Sequence, residues 1–213
     1  MSLVRRRFDE HYFESWIHHS HPRSARNLQR FGLVLSQKPA GRLLDIGIGR
    51  GDLLQAASGR FEVSAIDVSP YAASRLPESL RERVTVGDIQ TTALPDPPYD
   101  VITAFNVLEH LHRPVAALCK IHAGLAPGGV FIGSMPCKAS LVGTVHTAIT
   151  NYFDKTHCST YKVRTWGKAF RAVGFSEPGF FGEIMLTHAI CVYVRAPFWP
   201  HVSLNLMFAA RKG

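Results

Sequence analysis

Two acids and three glycines in one short stretch have the spacing of a nucleoside-binding turn. Residues 43–54 read LLDIGIGRGDLL, so that Asp45 precedes the glycines and Asp52 follows them. The glycines are Gly47, Gly49 and Gly51. An apolar run that ends in a glycine-rich turn and continues into a helix is typical of the ligand-binding unit of α/β folds. The pattern predicts a buried strand with a ligand at its carboxyl end.

The acids limit the class of ligand that fits this turn. The dinucleotide fingerprint G-x-G-x-x-G requires a small residue at the position of Asp52. A carboxylate in the first helical turn would repel a pyrophosphate, which binds through the helix N-terminus. S-adenosylmethionine has no phosphate, and its sulfonium and ammonium groups are compatible with Asp45 and Asp52. The residues therefore favour S-adenosylmethionine as cofactor, with S-adenosylhomocysteine as its demethylated product.

A further acid ends the next apolar run. Residues 61–66 form a second apolar, β-branched run that leads into Asp67, twenty residues after Gly47. A carboxylate at the tip of a second parallel strand lies beside the glycine turn and can accept hydrogen bonds from both ribose hydroxyls. The alternative role for Asp67 is to cap a helix that begins near Pro70.

The third predicted strand, residues 84–87, is followed by Asp88 and Ile89. In that position the carboxylate of Asp88 can accept a hydrogen bond from the exocyclic amine of adenine, while Ile89 packs on the ring. Three successive strands thus each present an acid to one edge of the sheet, which is the order expected of a doubly wound α/β fold.

These motifs carry a family resemblance. The segments LLDIGIGRGDLL, AIDVSP, VTVGDIQ, YDVITAFNVLEHLHRP and LAPGGVFIGSMP resemble the successive motifs of the class I S-adenosylmethionine-dependent methyltransferases. Within that superfamily the chain is most similar to the small-molecule branch that includes the quinone-biosynthesis methyltransferases. The resemblance covers residues 40–135 and weakens beyond them.

The resemblance implies a fold and a set of cofactor contacts. The fold is α/β, a doubly wound, Rossmann-like sheet of seven strands in the order 3-2-1-4-5-7-6, with strand 7 antiparallel and helices on both faces. The cofactor contacts predicted from residues and resemblance together are Asp45, Gly47, Gly49, Gly51, Asp67, Val68, Asp88, Ile89, Asn106 and Val107. Asn106, or its backbone, is expected closest to the methionine part of the cofactor.

One motif points to a different substrate. Residues 96–99 read DPPY, the tetrapeptide with which amino-methyltransferases of nucleic acids hold a target adenine. In those enzymes it follows the fourth strand, whereas here it precedes the strand predicted over residues 100–105. We therefore interpret DPPY as a proline-rich turn at the opposite end of the sheet.

Two histidines are candidate catalytic residues. His110 lies just beyond the fourth strand, where it either orients cofactor and substrate or caps the next helix. His157 lies in the sequence DKTH, within a connection that walls the substrate pocket in the resembling family. It either acts as a general base oriented by Asp154 or packs behind the site. His18, His19 and His21 are clustered, but no nearby acid or cysteine completes a metal site, and none is predicted.

Length and patterning predict a single catalytic domain. The 213 residues fall within the range of one α/β domain. We predict a cap or lid of helices over residues 1–38 and a catalytic core over residues 39–213. Within the core, residues 136–162 and 185–202 are expected to be variable segments on the substrate side. The four cysteines show no C-x-x-C pair, and no signal-peptide or membrane-spanning pattern is found, so a cytoplasmic protein is expected.

The charge of the chain leaves the acceptor open. The net charge is +8, and many basic residues lie in the first thirty positions. They are Arg5, Arg6, Arg7, Arg23, Arg26 and Arg30. A solvated basic face is the simpler interpretation, and a nucleic-acid surface is the alternative. We therefore expect in-line methyl transfer to a small-molecule acceptor; RNA or protein methylation and a catalytically silent cofactor-binding module are the alternatives.

Overall fold

The structure, a computed structural model, describes residues 8–14, 23–176, 178–185, 191–194 and 203–213. In this part of the chain, eight strands form one sheet in the order β3-β2-β1-β4-β5-β8-β6-β7. The strands are β1 (Gly41–Ile46), β2 (Phe61–Asp67), β3 (Val84–Val86), β4 (Tyr99–Phe105), β5 (Leu125–Pro136), β6 (Gly179–Met185), β7 (Cys191–Val194) and β8 (Asn205–Arg211).

The first five strands are parallel and form the buried half of the sheet. β1 pairs with β2 from Gly41 opposite Phe61 to Ile46 opposite Ile66, and β4 lies on its other side. Their apolar residues are almost fully buried, as expected where helices cover both faces of a parallel sheet. Because parallel strands end at the same edge, the residues that follow β1, β2 and β4 meet there.

The other end of the sheet is antiparallel and has one strand more than predicted. β8 runs antiparallel to β5, and β6 runs antiparallel to β8, which confirms the predicted order of the family core and its antiparallel last strand. The prediction of seven strands is wrong, because β7 pairs antiparallel with β6. β7 lies within residues 185–202, where prolines and a lack of periodicity hid a four-residue strand.

Helices lie between the strands and at the N-terminus. They are α1 (Glu10–Glu14), α2 (Arg23–Gln37), α3 (Asp52–Ala57), α4 (Pro70–Ser74), α5 (Glu78–Arg81), α6 (Pro114–Gly124), α7 (Leu141–Phe153) and α8 (Val163–Val173), with a 3₁₀ turn at Leu108–His110. On one face of the sheet Phe131 and Phe208 pack with Phe170 of α8. On the other face Val34 of α2 joins a second apolar cluster. No helix among the described residues is both long and apolar enough to cross a membrane.

Helix α7 lies in a segment for which the sequence predicted no element. The side chain of Ser140 caps its N-terminus by accepting a hydrogen bond from the Gly143 amide at 3.1 Å. The helix is rich in threonine and valine, which are weak helix formers, so its sequence resembles a connection more than a helix.

Candidate functional site

A cavity of about 820 Å³ lies at the carboxyl ends of β1, β2 and β4. Nine of the ten predicted cofactor residues line it, as do His110 and His157. The exception is Gly51, which is buried in a left-handed conformation at the start of α3, where a Cβ would collide with Leu76. This glycine allows α3 to begin against the packed Leu76 side chain, and its contact with the ligand stays a prediction.

The remaining glycines form the floor of the cavity. Gly47 has φ of 76°, and an added Cβ would collide with the side chain of Val107. Gly49 has φ of 56°, and no protein atom lies within 4 Å of the position that its Cβ would occupy. A left-handed backbone without side chains leaves this part of the cavity open to a ligand that approaches the main chain.

Asp67 joins the end of β2 to the glycine turn. Its carboxylate accepts a hydrogen bond from the Ser69 amide at 2.8 Å and further ones from the amides of Ile48 and Gly49. Burial raises the pKa of Asp67 to about 6, although these hydrogen bonds oppose the shift. The alternative role as a helix cap is wrong, because Ser69 caps α4 through the Ala72 amide.

Asp45 is buried at the end of β1 and faces the same cavity. It accepts a hydrogen bond from the Thr103 hydroxyl at 2.7 Å. Burial raises its pKa to about 7; the Thr103 hydrogen bond opposes this shift, the charge of Asp67 adds to it, and Arg30 again opposes it. Ionising both buried carboxyls side by side is unfavourable, and a nearby positive charge offsets this cost. The pair is therefore a suitable environment for a cationic ligand.

The other predicted acids have local partners. Asp52 lies 3.3 Å from the amide nitrogen of the Asn27 side chain, and Asp88 accepts a hydrogen bond from the Gln90 amide at 2.9 Å. Ile89 beside it is buried. These contacts hold both carboxylates in place without removing Asp88 from the cavity lining.

Arg30 is a site residue that the sequence analysis misplaced. It is 6 % exposed and lines the cavity, with its guanidinium 4.6 Å from the centre of the Phe105 ring. Its Nη2 donates hydrogen bonds to Asn106 Oδ1 at 3.0 Å and to Ser134 Oγ at 3.2 Å. Asn106 lines the cavity with φ of 57°, and its side-chain oxygen accepts the hydrogen bond from Arg30.

Arg26 and Arg30 do not belong to an exposed basic face. Arg26 forms an ion pair with Glu183 of β6, and Arg30 Nε lies 3.9 Å from the same carboxylate. Burial opposes ionisation of Glu183, but these arginines and Asn205 lower its pKa overall. Arg26 and Arg30 are four residues apart, and buried Val34 follows at the same interval. This spacing places all three side chains on one face of α2 and indicates that the arginines point inward. Arg5, Arg6, Arg7 and the clustered His18, His19 and His21 lie outside the described residues, as does the side chain of Arg23.

The predicted catalytic histidines meet at the other end of the cavity. Their ring centres are 4.8 Å apart, and the Nδ1 atom of each ring has a different side-chain hydrogen-bond partner. Thr156 donates its hydroxyl proton to Asp154, and His110 Nδ1 lies 2.7 Å from the same hydroxyl oxygen. His157 Nδ1 lies 2.7 Å from Asn151 Oδ1.

The direction of these hydrogen bonds fixes the protons. Because the single proton of Thr156 goes to Asp154, its oxygen accepts from His110, which must carry its proton on Nδ1. By the same argument His157 donates from Nδ1 to Asn151. Each neutral histidine therefore keeps a lone pair on Nε2. Burial lowers the pKa of His157, whereas Asp154, 3.7 Å from its Nε2, opposes the shift.

Glu109 is a second residue that the sequence analysis did not select. It is fully buried, and neither carboxylate oxygen has a hydrogen-bond partner of normal geometry among the described residues. Burial raises its pKa to about 8, so that it is mainly neutral at pH 7. Donor atoms of Glu109, His110 and His157 lie within 4.8 Å of one another, a spacing at which they could hold a metal ion. The sequence did not predict this because His157 lies far from the other two in the chain.

Apolar side chains from α1 and α7 complete the cavity. Phe8 contacts His110 edge-on at 5.5 Å between ring centres, and the Tyr12 hydroxyl lies 3.4 Å from Asp154. Ile149 and Phe153 of α7 line the same side.

The DPPY motif lies at the opposite end of the sheet from the cavity. It immediately precedes and begins β4, at the amino end of that strand, which confirms its interpretation as an entry turn.

The chain is similar in sequence to known methyltransferases. A family model described as a methyltransferase domain matches residues 11–176. The ubiquinone biosynthesis O-methyltransferase of Xanthomonas campestris is 32 % identical over 99 residues, and trans-aconitate 2-methyltransferase of Methylobacterium nodulans is 32 % identical over 102 residues. These matches cover 43 % and 45 % of this chain, but only 41 % and 38 % of the relatives' length.

The fold is shared with solved structures of low sequence identity. Magnesium protoporphyrin IX methyltransferase of Synechocystis, solved with S-adenosylhomocysteine, has a TM-score of 0.70 at 18 % identity over 99 % of this chain and 98 % of its own. An S-adenosylmethionine-dependent methyltransferase of Archaeoglobus fulgidus has a TM-score of 0.71 at 18 % identity, with coverages of 89 % and 94 %.

Proposed function

The chain belongs to the class I S-adenosylmethionine-dependent methyltransferases, and we propose that it transfers a methyl group from this cofactor to a small-molecule acceptor. One observation carries the proposal. A single cavity has acids and an open glycine backbone at one end and two hydrogen-bonded histidines with an apolar wall at the other. Cofactor and acceptor can therefore meet in one cavity.

The buried charges of the first end fit the parts of the cofactor. Asp67 would accept hydrogen bonds from the ribose hydroxyls, and Asp88 with Ile89 would hold the adenine. Asp45 would face the cationic groups. Arg30, the buried cation of the same lining, would bind the carboxylate of the methionine part. When bound, the cofactor supplies an electrophilic methyl group.

The second end fits an acceptor that must lose a proton. In the proposed mechanism His157 accepts the proton of an acceptor hydroxyl at Nε2, and Asp154 stabilises the imidazolium that forms. His110, fixed by Thr156, orients the acceptor. Phe8, Ile149 and Phe153 exclude water from the reacting atoms, which strengthens the electrostatic interactions inside the cavity.

The class of acceptor is testable without knowing its identity. The protein is incubated with methyl-labelled S-adenosylmethionine and a cell extract, which is then separated into small molecules, RNA and protein. We expect label in the small-molecule fraction. Label that appears only in RNA or protein would refute a small acceptor; the inward-facing Arg26 and Arg30 already remove part of the basic surface that a polyanion would need.

We expect Asp67→Ala to weaken binding of S-adenosylhomocysteine by ~1.5 to 3 kcal/mol, because two charge-assisted hydrogen bonds to the ribose are lost. Isothermal titration calorimetry measures the change. Asp100→Ala is the matched control, because Asp100 also accepts a backbone hydrogen bond, from the Arg42 amide at 2.8 Å, at the opposite end of the sheet. Equal affinities in the Asp67→Ala protein and the wild type would remove Asp67 from the ribose site.

Binding of S-adenosylmethionine should release protons near pH 6.5. The raised pKa values of Asp67 and Asp45, about 6 and about 7, mean that both are partly protonated in the free protein. A cationic ligand favours the ionised forms, so affinity should rise with pH and level off about one pH unit above the pKa of Asp45, which is about 7. Calorimetry in two buffers of different ionisation enthalpy counts the protons, and Asp45→Asn should reduce the number. Proton uptake on binding would contradict the assignment.

A further inference from the structure

Helix α7 presents its large apolar side chains to solvent instead of to the protein. Leu141 is 80 % exposed and Tyr152 is 70 % exposed, and four more apolar residues of the same helix are at least half exposed. Those four are Val142, Val145, Ile149 and Phe153. Their spacing follows the helical repeat, so they form one continuous outer face. We refer to these six residues as the α7 face.

The side of α7 that contacts the protein is made of small residues. Gly143 is buried so closely against the Cys137 carbonyl that a Cβ would collide with it, and Thr147 is fully buried. The Thr147 hydroxyl donates to the Gly143 carbonyl at 2.8 Å within the helix. The usual amphipathic arrangement is therefore inverted. An exposed apolar area of this size on a surface helix indicates an interaction site.

The chain segment that contains α7 is strongly basic. Residues 137–171 contain six lysines and arginines against one acid, Asp154, and so contribute +5 of the chain's net +8. Lys155 Nζ lies 4.6 Å from the centre of the Tyr152 ring at the end of the helix. Near the other end of the segment, Lys138 donates to the Thr160 hydroxyl at 2.9 Å, and the Asn151 side chain of α7 contacts the same hydroxyl.

The positive charge of this segment favours one kind of binding partner for the α7 face over another. Two copies of the chain joined through α7 would bring two basic segments together, which is unfavourable. An anionic lipid surface offers both an apolar layer and opposite charge, which is the combination that interfacial helices use. With 13 residues, α7 is shorter than the ~20 residues needed to cross a bilayer, so it would lie in the interface.

We propose that the α7 face docks on an anionic lipid surface. Ile149 and Phe153 belong to this face and also line the cavity, so the docked helix separates the cavity from the lipid by one layer of side chains. The cavity then receives an apolar acceptor from the lipid phase. This last step rests on the proposed function; the docking itself does not.

Vesicle co-sedimentation of the full chain tests the docking. We expect binding to vesicles of equimolar phosphatidylglycerol and phosphatidylcholine, weaker binding to phosphatidylcholine alone, and a decrease as salt is raised. Leu141→Ser with Val145→Ser should reduce the partition coefficient at least about tenfold. Leu28→Ser with Val115→Ser is the matched control, because these residues are 57 % and 50 % exposed on other helices.

Charge reversal tests the electrostatic part of the docking independently. Lys155→Glu should lower the partition coefficient at least about fivefold, because a basic residue near an anionic surface contributes about that factor. Arg60→Glu, on the exposed turn before β2, should leave it unchanged. Binding of S-adenosylhomocysteine is measured in every variant, so that loss of the fold or of cofactor binding is distinguished from loss of docking.

Two results would overturn the proposal. One is equal and weak binding of the wild type to both kinds of vesicle. The other is a concentration-dependent dimer in analytical ultracentrifugation that Leu141→Ser with Val145→Ser dissociates, since the α7 face would then be covered by a second copy. If the protein binds the vesicles as expected but transfers no label to small molecules, the docking proposal is retained and the proposed function is refuted.

Discussion

Gly49→Val should abolish measurable binding of S-adenosylhomocysteine, a loss of at least about 100-fold, while the protein still unfolds in one cooperative transition. The Cβ of residue 49 would project into cavity space that holds no protein atom within 4 Å, where the cofactor is proposed to pass the backbone. Calorimetry measures the binding, and thermal unfolding followed by circular dichroism reports the fold.

A second glycine separates the loss of space from backbone strain. Gly128 also has a positive φ, 68°, and open surroundings, but it does not line the cavity. Valine at either position is strained in the left-handed region, so Gly128→Val should cost comparable stability. It should leave binding unchanged. Cofactor binding that persists in folded Gly49→Val would show that the ligand does not approach this turn.

His157→Ala should lower kcat by about 100-fold or more, with little change in cofactor affinity, once an acceptor has been found. The wild-type rate should fall as the pH drops, because only the neutral imidazole accepts a proton. Burial lowers the pKa of His157, so the fall is expected below the ordinary histidine range near 6.5. Asp154→Asn should give a smaller loss of kcat and move the fall further down in pH, because Asp154 stabilises the imidazolium.

Controls distinguish this role from positioning and from metal chemistry. His122→Ala removes an imidazole that packs on Phe175, away from the cavity lining, and should leave kcat unchanged. If His157 only positions the acceptor, its loss appears mainly in KM and the pH profile stays the same. Repeating the assay with a chelator tests whether Glu109, His110 and His157 act through a bound cation.

The parallel half of the sheet and its acids could be predicted from the sequence because both are local signals. Apolar runs bounded by glycine and aspartate marked β1 and β2, and topology alone then brought Asp45 and Asp67 to one edge. The spacing of Gly51 reveals a left-handed turn but not what fills the space beside it, which in the structure is the Leu76 side chain.

The remaining parts of the site depend on contacts between distant segments. Arg30 enters the cavity because Glu183, 153 residues later, provides a buried counter-charge. The lone pairs of the histidines are fixed by Thr156 and Asn151, which have no recognisable motif. Helix α7 was missed although its apolar residues follow the helical repeat, because its threonines and valines are weak helix formers.

The ion pair between α2 and β6 bears on which part of the N-terminal segment can move. Swinging α2 away would leave the fully buried Glu183 without its arginines, and breaking such a pair costs roughly 3–5 kcal/mol. This ion pair therefore holds α2 against β6, and the role of residues 1–38 as a cap or lid stays a prediction. The described contacts of α1 include the Tyr12 hydroxyl 3.4 Å from Asp154 and the Phe13 ring 5.9 Å from that of Tyr71, and neither of these contacts is a buried ion pair. Movement of the N-terminal segment that admits a ligand is therefore expected at α1 and not at α2.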